Sequence, residues 1–163
     1  MKRIYTGLIG LTLIFTSCAE NNKDIKSDIL GLDWYSEKDT VKQEMNDYIF
    51  KNESEEIGAS GEKQTLLEYS GVTLHEKQCD VRLCFTSMGL IGINYNDISG
   101  QYEQWVEYIT MNYGEPTETS DFNMASWEND PIGTGTSIYV FEIENGVQIS
   151  FFADETGSET VQQ

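Results

Sequence analysis

The chain has 163 residues, 28 acidic against 10 basic side chains, and a formal net charge of −18. A surface of that sign repels phosphate backbones and anionic headgroups, which argues against nucleic acid as a partner and against an electrostatic membrane contact. A single histidine rules out a histidine metal cluster, and a Ser/His/Asp triad would rest on His75 alone.

In chain order, basic Met1-Lys2-Arg3 precedes an apolar run from Leu8 to Phe15, too short to span a bilayer core of roughly 30 Å, and then Thr16, Ser17 and Cys18. That is the layout of a secretion signal. Ile14-Phe15-Thr16-Ser17-Cys18 resembles the lipobox of bacterial lipoproteins. The resemblance implies cleavage of residues 1–17 and a diacylglyceryl thioether on Cys18, with two or three acyl chains needed for a stable anchor. The membrane would then be a partner through the lipid on Cys18 and the location the bacterial cell envelope, its leaflet left open. Without residues 1–17 the chain keeps 146 residues (163 minus 17), a length suited to one domain, and a charge near −20 (8 basic against 28 acidic).

Residues 18–32 read as the lipidated cysteine and a polar tether with a reach of about 20 Å. A single domain is expected over 33–155 and a disordered tail over 156–163. Ser36 and Asp39 make a capping-box-like start to helix one, with Val41, Met45, Tyr48 and Ile49 on one side and an end near Phe50. Lys51 to Lys63, polar and holding Gly58 and Gly61, reads as a long loop. Leu66 to His75 has strand composition, with a change of phase that predicts a bulge at Ser70-Gly71.

Val81, Leu83 and Phe85 alternate with polar residues, and after Ser87-Met88-Gly89 the alternation resumes as Ile91, Ile93 and Tyr95. A three-residue loop would set Phe85 opposite Ile91 and Leu83 opposite Ile93. On one strand Cys79 and Cys84 would lie about 16 Å apart, beyond the roughly 7 Å a disulfide tolerates, and C-x4-C without a second pair is poor zinc spacing. Asp97 or Ser99 can cap helix two, whose Tyr102, Trp105, Val106, Ile109 and Tyr113 form one stripe before Gly114 and Pro116 stop it. A short strand near Trp127 follows, then a turn over 130–135. A hairpin over Ser137 to Ala153 is predicted to close through Glu144-Asn145-Gly146, with Gly146 at positive φ. That register pairs Ile143 with Val147, Phe141 with Ile149 and Tyr139 with Phe151.

This order predicts an α+β fold, an antiparallel sheet with two helices on one face, in which helix-plus-hairpin halves leave a duplication open. Trp34-Tyr35-Ser36-Glu37-Lys38-Asp39-Thr40-Val41 and Tyr113-Gly114-Glu115-Pro116 resemble the entry to and exit from a helix in lipoproteins similar to the outer-membrane assembly factor BamE (SmpA/OmlA) and to the β-lactamase inhibitory protein. The resemblance implies a protein-binding helix-plus-sheet module with no catalytic residues.

No Walker A, G-x-G-x-x-G or G-x-S-x-G pattern is present, and counting from Gly100 puts Tyr95 at the first position of a calcium loop, so the register fails. The acidic pairs Glu55-Glu56 and Asp154-Glu155 read as solvated charge rather than glycosidase carboxylates. No catalytic residue, metal or cofactor is expected. The expected function is a lipid-anchored, non-enzymatic protein-binding or assembly module of the cell envelope, with an envelope protein as partner. The alternative is a small-ligand or carbohydrate binder using Trp127. In the predicted registers the sheet face opposite the helices carries Arg82, Cys84, Leu90, Val140, Glu142, Gln148, Ser150 and Phe152, and the partner-binding candidates are Leu90, Trp127, Val140 and Phe152.

Overall fold

A computed structural model describes residues 28–58, 61–128 and 135–154; the lipidation candidate Cys18, the signal and the tail over 156–163 lie outside the described residues. Helix α1 (Lys38–Glu44) is followed by strands β1 (Ile49–Ile57), β2 (Lys63–Leu74), β3 (Lys77–Thr86) and β4 (Gly89–Asp97). Helix α2 (Tyr102–Tyr113) is followed by β5 (Glu118–Ser120), β6 (Met124–Trp127), β7 (Thr136–Ile143) and β8 (Gly146–Ala153). All eight strands form one sheet in the order β1-β2-β3-β4-β8-β7-β6-β5, every neighbouring pair antiparallel. The predicted α+β class is therefore corrected to a β-rich fold in which helices of 7 and 12 residues are short additions to the sheet.

Two misread segments account for the correction. Helix one ends at Glu44 instead of near Phe50 because only Val41 and Met45 of its predicted stripe are buried; Tyr48 leads into β1. The stretch read as a loop is β1 itself, an edge strand exposed along nearly its whole length, so it lacks the alternation that marks a half-buried strand. Its ladder to β2 holds it, with a bulge at Lys51. Lys38 and Lys42 of α1 reach across to Glu53 at 2.5 Å each. Their hydrogen bonds hold the Glu53 carboxyl down to about 2.

The bulge predicted at Ser70-Gly71 is present between Tyr69 and Val72. It lets both halves of β2 face inward, Leu67 and Tyr69 before it and Val72 and Leu74 after it. The β2–β3 turn is made by His75 and Glu76, both at positive φ (48° and 62°), the conformation a tight two-residue hairpin requires. Stacking of His75 on Tyr108 of α2, centroids 3.8 Å apart, fixes that turn against the helix.

Both hairpin registers differ from the prediction. In β3–β4 the loop has two residues, so Phe85 faces Leu90 and a bulge follows before Leu83 meets Ile93 as expected. In β7–β8 Ile143 pairs with Gly146, Val140 with Ile149 and Ile138 with Phe151. β7 has apolar residues on both parities, Ile138 and Val140 on one and Tyr139 and Phe141 on the other, so periodicity does not select a face, and a slip of one residue exchanges them. Gly146 pins the observed register: it has φ +124°, and a Cβ there would stand 2.2 Å from the Asp97 carbonyl of β4.

The core lies on one face of the sheet, where strand residues such as Leu83, Ile93, Ile149 and Phe151 meet Val41, Met45, Trp105 and Ile109 of the helices. Each large side chain buried there contributes roughly 1.5–3 kcal/mol. The packed body begins before residue 33: Asp28, Ile29 and Leu32, read as tether, are buried. The Asp28 carbonyl accepts from Tyr95 at 2.6 Å and its carboxylate accepts from Tyr108 and Tyr113. Burial and then the Asp28 charge push the Tyr108 phenol above its ordinary value.

Neither predicted cap is used by α2, whose N-cap is Gln101 without a side-chain bond. Asp97 instead accepts from the Ser99 backbone at 3.0 Å and from the Trp105 indole at 3.0 Å, with Lys77 at 3.4 Å. Burial pushes Asp97 up, but these hydrogen bonds and the Lys77 charge outweigh it and hold the carboxyl below its usual value.

Candidate functional site

The face opposite the core is formed by the other parity of each strand, and one cross-strand row runs over it from edge to edge. Asn52 stands opposite Glu68, Glu68 opposite Arg82, and Arg82 opposite Asn94. Asn94 faces Ser150, which faces Tyr139, then Ser126, then Glu118. The row changes character along its length. Its first half is ionic, with Arg82 donating to Glu68 at 2.8 and 3.1 Å. Its second half is flanked by aromatic side chains.

Three half-buried rings make that aromatic wing. Tyr139 and Phe141 lie parallel to within 9° with centroids 6.0 Å apart, and Phe152 meets Tyr139 edge-on at 5.9 Å. Phe152 lies over Gly92, where a Cβ would stand 2.8 Å from its ring; the glycine gives the ring its bed. The Tyr139 hydroxyl donates to Glu128 at 3.4 Å, and burial followed by the Glu128 charge raises the phenol above its ordinary value.

Beneath the rings is a polar floor. Asn94, 8% exposed, donates through Nδ2 to the Cys84 sulfur at 3.3 Å, and Gln148 donates to Ser150 at 2.9 Å. Asn94 Oδ1 and Ser126 Oγ are buried without a hydrogen-bond partner among the described residues. Orphaned buried polar atoms are uncommon, because each forfeits its hydration with nothing in return. Both belong to the cross-strand row, on either side of Tyr139.

The structure redistributes the sequence-based candidates. Arg82, Cys84, Gln148, Ser150 and Phe152 are on the open face. Leu90 and Val140, each 0% exposed, and Trp127, 1% exposed, are corrected to core residues. The hairpin registers turn Leu90, Val140 and Glu142 to the inner parity. Trp127 packs inward with its indole donating to the Gly114 carbonyl at 2.7 Å, so it offers no stacking surface. Tyr139, Phe141 and Asn94 were missed because each was paired by the wrong register or read simply as strand.

Cys79 and Cys84 are free and buried on opposite faces of β3, and burial pushes both thiols up to about 11. His75 is exposed, with Tyr108 and Trp105 as its ring neighbours. Glu55 pairs with Lys63 at 2.8 Å. Among the described residues no group of three His, Cys, Asp or Glu side chains could hold a metal, and no helix is long and apolar enough to cross a membrane. Compared with protein families, curated proteins and solved structures, the chain matches none.

Proposed function

We propose that this chain is a lipid-anchored, non-enzymatic protein of the bacterial cell envelope, tethered through Cys18, that binds a protein partner on the open face of its sheet. The observation that carries the reading is the aromatic wing of Tyr139, Phe141 and Phe152, whose rings cluster half exposed on that face. A sheet face built only for solubility has no use for clustered, half-exposed rings, whereas an interface uses them as anchors. The signal-like segment before Cys18 and the strongly acidic composition support the address and the lack of nucleic acid as a partner.

The test has two arms. Mass spectrometry of the membrane fraction should show an acylated N-terminal peptide beginning at Cys18; a soluble, unmodified mature chain would end the anchoring part. Substituting Tyr139 and Phe152 with Ser should abolish capture of an envelope protein by the solubilised chain while leaving the fold intact. A second reading, carbohydrate or small-ligand binding, is favoured by the parallel pair Tyr139 and Phe141, since flat rings also stack on sugars. Specific glycan-array binding without a protein partner would select it.

A further inference from the structure

Charge is unevenly distributed along the chain. No Lys or Arg follows Arg82, so β4, α2 and the whole wing β8-β7-β6-β5 carry acids with no cation of their own. On the open face of that wing the exposed carboxylate of Glu128 sits at the Tyr139 hydroxyl. Asp154 accepts from Ser137 at 2.5 Å, and Glu118 stands opposite Ser126 at the edge. A second copy of this chain is a poor occupant, because its net charge of −18 opposes approach.

We propose that the partner presents a cationic segment to this wing, with an arginine guanidinium stacked against the Tyr139 and Phe141 rings and donating to the Glu128 carboxylate. The proposal rests on the reading of the open face as the partner surface and names the chemistry that face accepts. Guanidinium fits better than ammonium. It is planar, it stacks on aromatic faces while keeping its N–H groups free for in-plane acceptors, and it is weakly hydrated. The wing supplies each complement: parallel rings with centroids 6.0 Å apart and an exposed carboxylate at their rim.

The test titrates the purified full chain with a fluorescent, extended Gly-Ser peptide carrying arginines and with its lysine and citrulline counterparts. The arginine peptide should bind about tenfold more tightly than the citrulline peptide and measurably more tightly than the lysine peptide. Tyr139→Ala and Glu128→Gln should each weaken it about tenfold, Tyr139→Phe should retain most of the affinity, and Glu103→Gln, at an exposed position of α2, should change nothing. Equal losses from Glu103→Gln and Glu128→Gln would reveal unspecific attraction to an acidic protein and overturn the proposal, as would equal binding of the lysine peptide. If Tyr139→Ala fails to fold, Glu128→Gln at an exposed residue decides alone. A photocrosslinker at Gln148 separates this proposal from the reading it rests on. Partner captured there without arginine binding keeps the open face and sinks the cationic segment, and partner captured only from Glu103 sinks both.

Discussion

The two faces of the sheet are made by the same strands and follow opposite rules. On the inner face polar groups are answered. Asp28 takes hydrogen bonds from Tyr95, Tyr108 and Tyr113, Asp97 takes the Trp105 indole, and Trp127 reaches the Gly114 carbonyl. On the open face, rings remain half exposed and two buried polar atoms have no partner among the described residues. The inner face is closed by the chain's own groups, whereas on the open face the rings of Tyr139, Phe141 and Phe152 stay half exposed among the described residues.

Side-chain truncations on the two faces should cost unequally. Trp127→Ala should cost about 3–5 kcal/mol of unfolding free energy, as truncation of a buried tryptophan does, and Val140→Ser should be severe for the same reason. Phe152→Ser should cost less than about 1.5 kcal/mol, because its ring is half exposed and leaves no sealed cavity. Denaturant melts of the three variants check this. Equal losses on both faces would mean that the open face is a second core.

That contrast also marks what could be read from the residues. The β3–β4 strands, the β2 bulge and α2 were legible because their large apolar residues fall on one side and leave a period of 2 or 3.6. β1 was not, since an edge strand exposed on both faces carries no period at all. The site failed at β7, where Ile138, Tyr139, Val140 and Phe141 give no parity to choose from; the register depends on the contact of Gly146 with Asp97, a long-range packing fact. Val140 was therefore assigned to the wrong face, and Tyr139 and Phe141 were hidden in the core; Leu90 was misplaced separately, by the two-residue β3–β4 loop and the bulge after it. Phe152 survived because β8 alternates more simply.

Asp97 gives the next largest effect and a sign with pH. Asp97→Ala removes the acceptor of a buried indole N–H and should cost about 2–3 kcal/mol. Against the upward push of burial, its hydrogen bonds and the Lys77 charge hold the folded carboxyl below its ordinary value. Its contribution is therefore complete above the unfolded value and lost as pH falls through the lower folded one. Asp97→Asn should flatten the acid limb of stability below about pH 4 relative to the parent, read from melting temperature against pH. An unchanged acid limb would show that Asp97 is not among the carboxylates that set it.

The two thiols sit one on each face. Both are pushed up to about 11 by burial, so neither supplies much thiolate at neutral pH. Cys84 lies on the open face, 7% exposed against 2% for Cys79. Iodoacetamide followed by intact mass should label neither quickly in the folded chain, Cys84 before Cys79, and both at once in denaturant. Prior labelling of Cys79 would show that the inner face opens more readily than the outer.

Tyr95 and Asn94 are neighbours on one strand in opposite surroundings. Tyr95 points inward and donates to the Asp28 carbonyl at 2.6 Å; Asn94 points outward with Oδ1 unpartnered. Tyr95→Phe leaves a buried carbonyl one donor short and should cost about 1 kcal/mol. Asn94→Val, apolar and only slightly larger, loses the weak donation to the Cys84 sulfur and removes an acceptor whose burial already costs on the order of 1–3 kcal/mol. The two terms oppose each other, and the net change should lie between zero and about 1 kcal/mol of added stability. A gain in stability together with a loss of partner binding is the pattern of a residue retained for recognition. A destabilisation larger than that of Tyr95→Phe would mean that Asn94 Oδ1 is satisfied within the folded chain, and the open face would then be as complete as the inner one.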